Sequence, residues 1–104
     1  MTKILIIDDE KSIRRSLREI LEFEKYQVDE AEDGQVGLSK ITSEQYDVVL
    51  CDVKMPKLDG LELLQKLANE NNEVPLVMMS GHGNIDQRKR GLRRYRWKLY
   101  ESTG

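Results

Sequence analysis

The chain has one cysteine, one histidine, one tryptophan, one phenylalanine and two prolines, and no apolar run that approaches 18 residues. Each shortage excludes something. A single cysteine, Cys51, closes no disulfide within the chain, and it sits inside the apolar run DVVLCD, which fits burial in a reducing cytoplasm. The first apolar run, ILII, is four residues long and leads straight into acids, so neither a membrane span nor a secretory leader is expected. The one histidine, His82, stands between two glycines, a setting that favours loop geometry over catalysis. At 104 residues there is room for one core and no second domain.

Acid is also missing, but only in one place. Residues 1–87 hold 18 acids against 10 bases, a net of −8, whereas residues 88–104 hold one acid against seven bases, a net of +6. The overall charge of −2 conceals this break. It falls at the run DQRKRGLRRYRWKLYESTG and is the only abrupt change of composition along the chain.

What is present is a regular alternation. Three short apolar runs, in KILIIDDE, YDVVLCDVKMP and VPLVMMSGHGN, have the continuous β-branched character of strands buried on both faces. A fourth candidate, YQVDEAED, carries acids that suit a strand near a sheet edge. Between them the apolar period becomes helical: Ile13, Leu17, Ile20 and Leu21 share one face behind a possible Ser12 N-cap. Val36, Leu38 and Ile41 mark a second, shorter helix that Gly37 weakens. Leu61, Leu64, Leu67 and Ala68 mark a third, stopped by Asn71 and Asn72. Strands alternating with helices predict an α/β fold, a doubly wound parallel sheet with right-handed crossovers and helices on both faces.

Ligands of such sheets bind beyond the carboxyl ends of the strands, where strand order reverses. Asp8 and Asp9 follow the first strand, Asp52 ends the third and Ser80 follows the fourth, so all four are expected to converge. Acids at strand ends also serve as solvated groups or helix caps. Three carboxylates in one crevice, however, repel unless one is protonated or a cation neutralises them, and a hard divalent ion such as Mg2+ suits an all-oxygen set. Cys51, one residue before Asp52, points to the opposite face by strand alternation and is expected to be core.

The stretches ILIIDDE, VVLCDVKMPKLDGLELL and PLVMMSGHG, in this order, strongly resemble the receiver domain of bacterial two-component response regulators. SGHGNI is most similar to the nitrogen-regulation activator group. The resemblance covers about residues 1–85. It implies the flavodoxin-like strand order 2-1-3-4-5, with Asp52 as the phosphoryl acceptor and Asp8, Asp9, Asp52 and the backbone carbonyl of Lys54 as ligands of Mg2+. It also implies that the Ser80 hydroxyl turns to the phosphoryl group, and that a sensor histidine kinase is the donor. Such a domain is no enzyme beyond assisting its own phosphorylation. An aspartate-based phosphatase would need an acid two residues past the nucleophile, where Lys54 stands. Met55, Pro56, Asp59 and Gly60 form the intervening loop.

Residues 86–104 depart from that pattern. The family continues into a fifth strand with a lysine followed by proline, then a fifth helix. Counting from Asp52 and Ser80, the lysine position falls on Ser102 and the aromatic switch position on Leu99, while Lys98 comes four residues early and has no proline after it. The fifth strand and helix are therefore expected to be absent or altered, which puts phosphorylation in doubt. They would leave the fourth strand as an open edge, with a non-native or swapped homodimer as the outcome. The segment YRWKLY fits a half-buried strand and a helical face equally well, and IDQRKRGLRR suits part of a fourth helix. The basic run reads either as a patch for nucleic acid or an acidic protein partner or as a changed reading frame. The first of these gives the alternative function, a phosphorylation-independent binding module. Otherwise nucleic acid is reached only through an effector domain outside this sequence.

Overall fold

Ile4, Leu5, Ile6 and Ile7 are all buried, so the first strand, β1 (Lys3–Ile7), is covered on both faces, as a central strand of a parallel sheet must be. The computed structural model describes residues 1–53, 55, 57–80 and 97–101; for Ser80 and residues 97–101 the description is of the backbone. After β1 come α1 (Lys11–Phe23), β2 (Gln27–Ala31), α2 (Gly34–Ser43), β3 (Val48–Asp52), α3 (Gly60–Asn69), β4 (Leu76–Ser80) and β5 (Trp97–Glu101). The strands form one sheet in the order β2-β1-β3-β4-β5, with every neighbouring pair parallel. The acid-bearing β2 is an edge strand, as its composition suggests.

Period-two alternation divides the sheet between two layers. Leu5 and Ile7 of β1, Val49 and Cys51 of β3, and Leu76 and Met78 of β4 join Ile41 of α2 and Leu61, Leu63, Leu64 and Leu67 of α3 in one core. Ile4 and Ile6 turn the other way, towards the layer of α1, which lies against β1 and β2. Gly37, read as a weak point of α2, has a packing reason: a Cβ there would overlap the Ile7 side chain, so the missing side chain lets α2 lie close to β1. Leu63 belongs to the core as fully as the leucines that the helical spacing picks out, because α3 is covered over a wider arc than one stripe.

Two expectations need correction, the open β4 edge and the Ser12 N-cap. Residues 97–101 form a strand rather than a helix, so the open β4 edge is closed by β5, which pairs with it from Leu76↔Trp97 to Ser80↔Glu101. The tail thus provides an altered fifth strand, and the edge that motivated a swapped dimer is occupied. Hydrogen bonding along β4 resolves the choice that periodicity left open.

The apolar face of α1 is not core. None of its residues is buried, and Ile13 and Ile20 are exposed to 39% and 61%. Leu17 and Leu21 are half-buried, as are Arg14 and Arg18, so the helix rests on the sheet with one flank of its apolar arc. Ser12 does not cap this helix. Glu10 holds the N-cap position without a side-chain cap bond, and the helix begins at Lys11.

The other two helices start as their sequences dictate. Asp33 accepts from the Val36 amide at 2.9 Å to cap α2. Asp59 accepts from the Glu62 amide at 2.8 Å while the Glu62 carboxylate accepts from the Asp59 amide at 3.2 Å, a capping box that fixes the start of α3. After α3 the chain turns at Asn71, whose φ of 55° is left-handed, a conformation that asparagine tolerates. The expected fourth helix lies outside the described residues. No helix among the described residues is long and apolar enough to cross a membrane.

Candidate functional site

β1 and β3 are adjacent and parallel, with Ile7 opposite Cys51, so the residues after Ile7 and the last residue of β3 leave the sheet together. This brings Asp8, Asp9 and Asp52 to one place, with one carboxylate oxygen from each lying within 4.8 Å of the others. Ser80 ends β4 one position beyond Met79, the register partner of Asp52, which places its backbone at the same rim. Lys54, whose carbonyl the resemblance makes a ligand, lies outside the described residues, as does His82.

The three acids differ in environment. Asp9 is exposed and Asp52 half-buried, but Asp8 is 2% exposed. Its carboxylate accepts from the Glu10 amide at 2.8 Å, and its own amide donates to the Ala31 carbonyl at 3.1 Å. Burial pushes the Asp8 carboxyl up to about 6, and the charges of Asp52, Asp9 and Glu10 push the same way against the lowering effect of the Glu10 amide. A crevice that makes a carboxylate this reluctant to ionise is one that a divalent cation stabilises, and the all-oxygen donor set suits Mg2+.

The carboxyl end of β3 is held from two sides. The Val53 amide donates to the Met79 carbonyl at 3.1 Å, and the Gly60 amide donates to the Val53 carbonyl at 2.9 Å. A Cβ on Gly60 would stand 2.6 Å from the Asp52 carbonyl oxygen, so only glycine lets the first turn of α3 come this close to the strand end that carries Asp52. Cys51 is fully buried, as its alternation predicts, and burial pushes its thiol well above the usual range, which leaves it inert packing.

Arg14 belongs to this site although it lies off the face that Ile13, Leu17, Ile20 and Leu21 share. Its Nη1 donates to the Asp8 carbonyl at 2.6 Å and its Nε to Glu30 at 3.1 Å, while Arg18 donates to the other Glu30 oxygen at 2.6 Å. The two guanidiniums hold the Glu30 carboxyl below its ordinary value. The available signal was an unusually basic helix beside an acidic edge strand. The 3.6-residue period alone cannot show which arginine turns inward.

A separate cavity of about 520 Å³, lined by Lys3, Tyr46, Asp47 and Val74 among others, opens at the amino ends of the strands and shares no residue with the acidic cluster.

Residues 4–96 match the family model described as the response regulator receiver domain. The chain belongs to that family. Over 90 residues it is 38% identical to the response regulator MprA of Mycolicibacterium vanbaalenii, covering 86% of this chain and 39% of that protein. It therefore spans about two fifths of the length of the curated relatives it matches. Among solved structures, NtrX from Brucella abortus in complex with ADP is 34% identical, with a TM-score of 0.82, and covers all of this chain and 24% of that one. TrrA from Thermotoga maritima, solved in complex with Mg2+ and BeF, is 29% identical with a TM-score of 0.84, covering all of this chain and 90% of that one. As a receiver domain, the chain has a phosphoacceptor role in two-component signalling, a family task that sensor histidine kinases serve as donors.

Proposed function

We propose that Asp52 is the phosphoryl acceptor and that Asp8, Asp9, Asp52 and the Lys54 carbonyl hold Mg2+ beside it. The observation that carries this reading is the convergence of three carboxylate oxygens within 4.8 Å at the carboxyl ends of β1 and β3 in a receiver domain. A carboxylate oxygen of Asp52 attacks the phosphorus of a phosphohistidine on the kinase. The P–N bond breaks as the P–O bond forms, the histidine nitrogen takes back its electron pair and an acyl phosphate remains on Asp52. Bound Mg2+ offsets the negative charge gathered by the acids and the phosphoryl oxygens. Arg14 fixes the Asp8 backbone, and the Gly60 contact fixes the strand end that aims Asp52. The Ser80 hydroxyl is assigned to the phosphoryl group on the strength of its place at the end of β4.

In the parallel register Ser80 stands opposite Glu101, so an acidic residue occupies the β5 position level with the switch serine. With Ser102 next, this strand end brings no lysine. Slow phosphorylation is the consequence, because the β5 residue level with Ser80 is acidic where the family pattern has a lysine nearby. The setting is the cytoplasm, and binding to nucleic acid is assigned to an effector segment outside this sequence rather than to the basic run at 88–104.

The test is incubation with acetyl phosphate and Mg2+, followed by intact mass measurement. Wild-type protein gains one phosphoryl group, and D52N and metal-free samples do not. Equal labelling of D52N would overturn the assignment.

A further inference from the structure

Among the described residues, three other than glycine have left-handed backbone, and two of them, Lys25 and Asn71, follow the C-caps of α1 and α3, where that conformation closes a helix. The third has no such reason. Lys57, with a φ of 68°, lies in the loop between β3 and α3, and its Cβ makes this region unfavourable. Side chains held in this way persist only where their surroundings over-determine them, and they concentrate at ligand clamps and active sites.

What holds Lys57 comes from α2. Its Nζ donates to Oδ2 of Asp33 at 3.5 Å, while Oδ1 of the same carboxylate caps the helix through the Val36 amide. Asp33 is only 6% exposed and Lys57 is exposed, so the carboxylate is the fixed member of the pair and the loop comes to it. Beside the pair Leu58 is buried, and its carbonyl oxygen fills the space that a Cβ on Gly34 would need. At the far end of the loop the Gly60 amide holds the Val53 carbonyl. The span between these two attachments leads from Asp52 and includes Lys54.

We propose that Asp33 and Lys57 are positioning residues for the phosphoryl-transfer site: the Asp33 carboxylate, acting through the Lys57 ammonium, holds the β3–α3 loop in the conformation that binds Mg2+. Neither residue is assigned a contact with the metal or the acceptor. The inference rests on the Mg2+ assignment to the acidic pocket. It differs in sign from a through-space charge effect. Removing the Lys57 cation would by Coulomb's law strengthen Mg2+ binding, and removing the Asp33 anion would weaken it. Loss of the clamp weakens binding in both cases.

Calorimetric titration of the full chain with Mg2+ tests the proposal. K57Q and D33N each remove one charge of the pair, and asparagine still caps α2. Each variant lowers Mg2+ affinity by about three- to fivefold, the most that a partly exposed pair supports. K57R keeps the charge and binds as wild type does. The double variant K57Q/D33N binds no more weakly than the weaker single, because both changes break one interaction. In metal-free protein, K57Q lowers the hydrogen-exchange protection of the Gly60 amide and spares that of Val49 in the central strand β3. Equal or tighter Mg2+ binding by K57Q would overturn the proposal. So would K57R as weak as K57Q, losses that add in the double variant, or protection of Gly60 and Val49 falling together. Wild-type protein that binds no Mg2+ would overturn the pocket assignment itself, and this proposal with it.

Discussion

The guanidinium of Arg14 binds the backbone carbonyl of Asp8 at 2.6 Å and the carboxylate of Glu30 at 3.1 Å, so one α1 side chain ties the acidic cluster to the edge strand β2. Arg14→Ala removes a charged donor from a carbonyl at the turn into the site, while Glu30 keeps Arg18. The expected loss of stability is about 1–2 kcal/mol, read by urea denaturation, together with weaker Mg2+ binding by calorimetry. Arg18→Ala, which leaves the Asp8 contact intact, is expected to spare Mg2+ affinity.

The Asp8 carboxyl titrates near 6 in the fold, above its ordinary value of 3.8. The folded chain therefore holds a proton there that the unfolded chain has released. This contribution to stability is complete below pH 4 and is lost as pH rises through about 6. The opposing carboxylates, Glu30 and Asp33, are lowered, so their contribution is lost only as pH falls below about 4. Between pH 5 and 7, metal-free protein is expected to melt at a lower temperature as pH rises. D8N should flatten that slope, and Mg2+ should raise the melting temperature at pH 7.5 more than at pH 5.

Gly60 lies too close to the Asp52 carbonyl for any side chain, and the atom a Cβ would meet is backbone. Gly60→Ala must shift either the start of α3 or the end of β3, at a cost of about 1–3 kcal/mol. The same shift moves the acceptor. Chemical denaturation is expected to show the destabilisation, and the rate of labelling by acetyl phosphate should fall even where the variant is fully folded.

Glu101 stands opposite Ser80 in the β4–β5 register. Glu101→Lys replaces a negative charge with a positive one at the strand end level with the switch serine. A cation there is expected to raise the rate of phosphoryl transfer to Asp52 by about tenfold or more, since charge stabilisation at a phosphoryl site is a large effect. A time course of intact mass reads it directly, and no change would show that the β5 end lies outside the electrostatic reach of the acceptor.

Much of this molecule was legible because its signals are local. ILIIDDE and VVLCD announce buried parallel strands that end in acids, and topology alone then brings Asp8, Asp9 and Asp52 together. The tail was illegible for a complementary reason: YRWKLY carries both periods, and only the unpaired edge of β4 makes it a strand. The inward turn of Arg14 and the role of Gly37 depend on which way a helix rolls on its sheet, which an amphipathic pattern broad enough for two faces leaves undetermined. The exposure of Ile13 and Ile20 was not legible either, since their helical spacing does not show whether a layer covers them.

The central claim is that Asp52 receives the phosphoryl group in a pocket shaped by Asp8 and Asp9. Borohydride reduction of protein treated with acetyl phosphate and Mg2+, followed by tandem mass spectrometry, converts an aspartyl phosphate into homoserine and so marks the acceptor itself. The account predicts homoserine at position 52 and aspartate at 8 and 9. Homoserine at position 8 or 9, or at no aspartate in samples that had gained a phosphoryl group, would contradict it.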